Sequence, residues 1–254
     1  MKTELYSALD PESAGRAIAA CAEILRRGGL VAFPTETVYG LGADALKPEA
    51  VRAIFAAKGR PADNPLIVHT ADAEQAFSLA ARVTPLAKAL AAAFWPGPLT
   101  LVLPRAPHVP DEVTAWLDTV ALRVPDHQVA LALLKAFGGA VAAPSANASG
   151  RPSPTRAAHV LEDLAGRIDA VLDGGETGVG LESTVVDARG PRPRVLRLGG
   201  LPVEAIAAAA GVDADRAGPA EAGDGPARSP GQKYRHYAPA APVTYVCRPQ
   251  GERA

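Results

Sequence analysis

Two cations flank a glycine at Lys58-Gly59-Arg60, and Pro61 and Pro65 stiffen the chain that follows. Arginine offers a planar fork and lysine a compact point charge. Converging on a bendable backbone, they suit a polyphosphate. The competing reading is a helix C-terminus whose basic residues complement its dipole. The stiffened exit counts against it, because a cap needs none. Leu66-Ile67-Val68-His69 then reads as a buried strand ending on a histidine, either a ligand group or a satisfied structural one. A second stretch is Phe33-Pro34-Thr35-Glu36-Thr37-Val38-Tyr39-Gly40-Leu41-Gly42. It takes an apolar run into proline, packed hydroxyls and a carboxylate. Two glycines follow that let the backbone turn or approach a ligand closely. It reads as a site edge, with an ordinary polar turn as the alternative.

Residues 139–150 repeat that grammar. A small-residue strand runs into Pro144, and Ser145 and Asn147 then supply donors without bulk. Ser153 and Thr155 lie just beyond, and Thr155 is expected to cap a helix running to Leu164. Arg123 and Arg197 each sit within an apolar strand, where a charge needs a partner or a ligand. Ser183 sits where a glycine-rich loop meets a strand. Residues 229–239 gather Lys233, Tyr234, Arg235, His236 and Tyr237 between prolines. They are expected to fold over a site as a lid.

The positioning elements alternate. Asp10-Pro11-Glu12 carries a capping side chain, a first-turn proline and an early acid, so a helix starts there. Ala17, Ile18, Cys21, Ile24 and Leu25 recur at its period, and Gly28-Gly29 stops it. Further helices are expected over 48–58, over 71–93 with a break near Thr84-Pro85, from Asp126 to Phe137, and after Pro202. Short strands fall between them, near residues 30–33, 66–69, 99–103, 119–125, 139–143, 168–172, 183–187 and 195–199. This alternation predicts an α/β fold. Residues 207–227, rich in Ala, Gly, Asp and Pro, read as a linker.

At 254 residues the chain is long enough for one large core. A formal net charge of −1 argues against a generally basic nucleic-acid coat but leaves room for a local basic cleft. Cys21 and Cys247 lie far apart and form neither a metal motif nor a disulfide framework, which fits a reducing cytoplasm. No apolar run approaches transmembrane length and no signal pattern opens the chain, so no membrane association is expected. There is no dinucleotide fingerprint and no Walker-type loop.

Taken in order, residues 33–42, Lys58-Gly59-Arg60-Pro61, Pro144-Ser145-Ala146-Asn147 and residues 229–239 resemble the YrdC-type threonylcarbamoyl-AMP synthases. The resemblance spans roughly residues 10–239, and the last block is similar to that of the longer members. It implies a twisted open mixed sheet with flanking helices and a concave cleft, similar to some double-stranded-RNA-binding folds. The implied organisation is a catalytic domain over 1–206, a linker over 207–239 containing the lid, and over 240–254 the start of a C-terminal domain that is otherwise cut off or absent.

The implied reaction joins L-threonine, bicarbonate and ATP into threonylcarbamoyl-adenylate and releases pyrophosphate. The product would pass to a tRNA threonylcarbamoyl-transferase complex, and weak RNA binding would be compatible with the fold. Carried over by motif, threonine would meet Thr37, His69, Arg123, the backbone near Ala143, and Ser183, with Arg123 pairing the carboxylate bidentately. ATP would meet Lys58, Arg60, Asn64, Thr119, Ser145, Asn147, Ser153, Arg197 and Tyr237. Lys58 and Arg60 would be the catalytic charges. Without a carboxylate cluster for a protein-only cage, Mg2+ is expected to ride on the ATP phosphates. Alternatives are a carbamoyl-adenylate-forming relative, which no Cys-pair finger supports, and a non-catalytic RNA-binding module.

Overall fold

A computed structural model of the chain describes residues 2–216. Its elements are β1 (Glu4–Ser7), α1 (Pro11–Arg26), β2 (Val31–Phe33), β3 (Gly40–Asp44), α2 (Pro48–Lys58), β4 (Ile67–His69), α3 (Ala73–Ser78), α4 (Pro85–Phe94), β5 (Leu99–Pro104), α5 (Asp111–Thr114), β6 (Thr119–Arg123), α6 (Gln128–Phe137), β7 (Val141–Ala142), α7 (Ala157–Leu164), β8 (Ala170–Asp173), β9 (Thr184–Asp187), β10 (Arg194–Arg197), α8 (Val203–Ala210) and β11 (Asp215–Arg216). The strands form one mixed sheet in the order β1-β8-β2-β3-β7-β4-β6-β5-β9-β10-β11. Pairing is parallel at β4–β6 and β5–β9 and antiparallel at β2–β3, β4–β7 and β5–β6.

Local signals set the helix ends. The Asp10 carboxylate accepts from the backbone N–H of Glu12 (3.4 Å) and Ser13 (3.2 Å), capping α1. Thr84 does the same for α4 through Ala87 N (3.0 Å). At the end of α2, Gly59 takes the left-handed conformation (φ 61°) that favours glycine and turns the chain into Arg60. The helix ending at Leu164 begins at Ala157 with Arg156 as its cap residue and no side-chain cap bond. Thr155 therefore does not cap it. The expected linker also starts later, because residues 207–210 complete α8. The predicted lid, Tyr237 with it, and residues 240–254 lie outside the described residues.

Strand alternation sorts side chains onto two faces. One face carries Ala32, Val68, Leu101, Leu103, Val120, Leu122, Ala142 and Val186 into the main core, together with α2, α4, α7 and α8. The other carries Val31, Phe33, Val141, Ala170 and Leu172, packed against α1 and α6. Farther along this second face, Ile67, Val102, Ala121, Val185 and Leu196 form a third cluster made of strand residues alone. The candidate site lies where the helix-backed part of the face gives way to this cluster.

Candidate active site

The register places two of the predicted residues side by side. His69 on β4 pairs with Arg123 on parallel β6, and both end their strands at the same edge. The connection from β2 to β3 brings Thr35 and Thr37 to that edge. The end of β7 adds Ala143, Pro144, Ser145 and Asn147, and β9 and β10 add Ser183 and Arg197. Together with Arg60 they line a cleft of about 660 Å³, open solvent at its mouth included.

Arg123 is the most constrained group in it. Its side chain is 4% exposed and that of its partner Glu36 13%. Nη2 donates to Glu36 Oε1 (2.7 Å) and to Thr37 Oγ1 (2.9 Å), and Nε donates to the Gly97 carbonyl (3.3 Å). Both Nη2 protons are thus engaged, and Nη1 meets no acceptor among the described residues. A ligand carboxylate therefore finds one nitrogen of this fork, so the bidentate pairing expected from the sequence is not available in this arrangement. The other Glu36 oxygen accepts from Asp126 N (3.1 Å). Thr35 folds the loop, since its hydroxyl donates to the Val38 carbonyl (2.7 Å) and lies 2.8 Å from Thr37 Oγ1. With the Thr35 proton spent on Val38, the Thr37 proton bridges the two hydroxyls, and Thr37 faces the cleft as an acceptor.

His69 is buried beneath these groups, edge-on to Phe33 at 6.1 Å between ring centroids. Burial, reinforced by the charge of Arg123, lowers its pKa to about 3 against the pull of the Ile67 and Val141 backbone. It is a neutral imidazole near neutral pH, available as a hydrogen-bonding wall of the cleft.

Lys58 stands elsewhere than its motif suggests. It does not line the cleft. Its ammonium is buried and donates to the carbonyls of Ser145 (2.5 Å) and Asn147 (2.5 Å), with Asn147 Oδ1 at 3.5 Å. Burial, then the Arg60 charge, pushes its pKa well below the usual lysine value, and Asp163 opposes them. Lys58 holds the Ser145–Asn147 turn from behind. The Asn147 amide is also used internally, donating to the carbonyls of Ala148 (2.9 Å) and Arg151 (2.8 Å). The Ser145 hydroxyl has no such bond among the described residues and sits on the cleft wall. Arg60 reaches the wall as expected, with Nη2 near the carbonyls of Asn64 (3.3 Å) and Pro65 (3.3 Å).

The opposite wall is a second network. Ser183 Oγ lies 2.7 Å from Thr100 Oγ1, and Arg197 Nη2 donates to the Ser183 carbonyl (2.9 Å) and hydroxyl (3.2 Å). Gly199 permits this packing, because a Cβ there would sit 2.3 Å from the Glu182 carbonyl. Ser153 does not line the cleft but bonds Glu182, which does. Asn64 is fully buried off the cleft, and its side-chain amide has no partner among the described residues. Thr119 lines a separate hollow with Val102, Asp118, Arg189 and Leu196. It shares a face of β6 with Arg123, four residues and about 13 Å away at the usual strand rise.

Sequence reasoning missed four groups. Glu36 appears in the sequence reading only as the carboxylate of its stretch, although the rule that a charge within an apolar strand needs a partner pointed to a carboxylate for Arg123. Thr35 was read only as part of its stretch. Glu182, next to Ser183, and Arg151, paired with Asp163, also line the cleft. No local signal marked them.

Fold and cleft define a mixed α/β protein that places a buried cluster of Arg123, His69 and Thr37 beside further arginines on one cleft wall. A family model for Sua5, YciO and YrdC, described as Telomere recombination, matches residues 23–199. The chain belongs to this Sua5–YrdC family. A model described as Threonylcarbamoyl-AMP synthase, C-terminal domain, matches residues 201–254, so at least part of that domain lies within this chain, more than the sequence reading allowed. The threonylcarbamoyl-AMP synthase of Pyrococcus abyssi is 55% identical over 89% of this chain and 66% of its own length. That of Bacillus subtilis is 50% identical over 99% and 71% respectively. The chain thus spans about two thirds of the length of these relatives. The crystal structure of P. abyssi Sua5 complexed with L-threonine superposes with a TM-score of 0.88, at 51% identity over 94% of this chain and 70% of that one.

Proposed function

We propose that this chain condenses L-threonine, bicarbonate and ATP into threonylcarbamoyl-AMP with release of pyrophosphate. The observation that carries the reading is one cleft holding Arg123 with its Nη1 turned away from its protein partners, a neutral histidine and two hydroxyls, beside Arg60 and Arg197. A small zwitterion with a side-chain hydroxyl needs the first set, and a polyphosphate needs the second. The relative of known structure was crystallised with L-threonine.

In this reading the threonine carboxylate meets Arg123 Nη1, while Thr37, Ser183 and the backbone at Ala143 fix its polar groups. A site built to bond a hydroxyl rejects analogues that lack one. The threonine amine adds to bicarbonate, giving a carbamate and water. A carbamate oxygen attacks the α-phosphorus, and the bond to the bridging oxygen breaks as pyrophosphate leaves. The protein's part is positioning and charge neutralisation. Arg60, Arg197 and the Ser145 hydroxyl would hold the phosphates. Val38, Leu66 and Ile67 on the cleft lining would give the nucleoside its apolar contacts. Lys58, Asn147 and Ser153 would act by shaping the walls. Tyr237 would close the site from the lid.

Among the described residues no group of three or more His, Cys, Asp or Glu side chains converges. The described residues do not supply a protein-only cage, so Mg2+ would arrive on the ATP phosphates. No helix among them is long and apolar enough to cross a membrane. The product would be consumed by a tRNA threonylcarbamoyl-transferase complex, and the work would take place in the cytoplasm.

The test is pyrophosphate release from the folded chain with ATP and each amino acid, with and without bicarbonate. Release that requires both L-threonine and bicarbonate is expected. Release independent of either, or none at all, would sink the proposal.

A further inference from the structure

We propose that Glu36 is a positioning and specificity-determining residue: its ion pair with Arg123 aims one guanidinium nitrogen at an amino-acid carboxylate and denies that end of the cleft to polyphosphates. The inference rests on the reading of Arg123 as the carboxylate receptor.

The cleft contains four arginines, Arg60, Arg123, Arg151 and Arg197. A triphosphate attracts every one of them, yet a two-substrate site works only if one end stays reserved for the smaller anion. Arg123 is set apart by its partner. Glu36 bonds it at 2.7 Å with both side chains largely withdrawn from water, so the pair is close to neutral overall. Coulomb attraction at such a poorly hydrated site is strong, and an uncompensated Arg123 would be a powerful phosphate anchor.

The same pair fixes direction. Glu36 and Thr37 take Nη2, the Gly97 carbonyl takes Nε, and Nη1 is left for a ligand. Glu36 is itself held, because its second oxygen accepts from Asp126 N (3.1 Å). A carboxylate with one fixed donor and hydroxyls beside it is accommodated. A polyphosphate, which profits from several converging cations, is not.

The experiment titrates L-threonine into the full chain by calorimetry, with and without inorganic tripolyphosphate. It compares wild type with Glu36→Gln and Glu36→Asp, and follows unfolding temperature in parallel. Glutamine keeps the size but removes the charge, and has one oxygen for two donors, so a small stability loss is expected and does not discriminate. Glu36→Gln is expected to weaken threonine binding about tenfold, ~1.4 kcal/mol. Tripolyphosphate should then compete with threonine far more strongly than it does in wild type. Glu36→Asp keeps the charge and should recover the resistance to tripolyphosphate. Three results overturn the proposal: unchanged threonine affinity in Glu36→Gln, weakened affinity without new tripolyphosphate competition, or equal competition in both variants. No threonine binding by wild type would instead defeat the functional reading on which the inference rests.

Discussion

Lys58→Met separates a wall-building lysine from a phosphate-binding one. The substitution keeps the aliphatic stem and removes the donor. Two carbonyls then lose their partner, that of Ser145 in a partly buried position and that of Asn147 in a buried one. A buried acceptor left unsatisfied costs about 1–3 kcal/mol. Ser145, which water can reach from the cleft, belongs at the low end and Asn147 at the high end. Removing an ammonium that burial already disfavours returns part of that sum. The net expectation is a loss of about 2–4 kcal/mol. At about 2–4 °C per kcal/mol for a chain of this size, the melting temperature falls by about 5–15 °C. Pyrophosphate release should drop as well, measured where both proteins are folded, because the 145–147 turn is a wall of the cleft. Thermal unfolding followed by circular dichroism gives the first quantity. A Lys58→Met protein that melts within about a degree or two of wild type yet lacks turnover would refute the reasoning. Its lysine would then be reaching the ligand, as the motif alone suggested.

Arg60→Ala is the counterpart on the cleft wall: the ATP requirement should rise about tenfold or more, with the threonine requirement within about twofold, as steady-state kinetics would show. His69 gives a pH signature. Its folded pKa of about 3 lies below the ordinary histidine value near 6.5, so the unfolded chain binds the proton first as pH falls. This contribution to stability is therefore complete above about pH 6.5 and is lost between there and about pH 3, at up to ~1.4 kcal/mol per pH unit. Denaturant titrations of wild type and His69→Asn should differ in slope across that window, and parallel slopes would count against a buried neutral His69. Gly42→Ala places a Cβ 2.8 Å from both Phe33 Cε1 and Val141 Cγ1. Overpacking of this kind costs about 1–3 kcal/mol, visible as a lower denaturation midpoint at unchanged slope.

Much of the fold was legible because its causes are local. Asp10, Thr84, Pro48 and Gly59 act within a turn of themselves, and helix ends follow from them. Strand alternation on β6 separated Val120 and Leu122 from Ala121 and Arg123 before any neighbour was known. The glycines of 33–42 were harder. Gly40 and Gly42 lie in a strand and make room for Ala143, Phe33 and Val141, a requirement set by what packs across the sheet.

The candidate site divides the same way. By itself the sequence determined which residue types gather at strand ends and that a buried arginine in β6 needed an anion. Only the tertiary structure decided which anion, because Glu36 and Arg123 are 87 residues apart and meet through strand order and register. It also decided that Lys58 turns inward toward two carbonyls while Arg60, two residues on, faces the cleft. Spacing along a chain cannot settle that, since direction at a helix end depends on which backbone stands opposite. Hydrophobic period and capping are properties of neighbours in sequence. Charge pairing and the aim of a side chain are properties of neighbours in space.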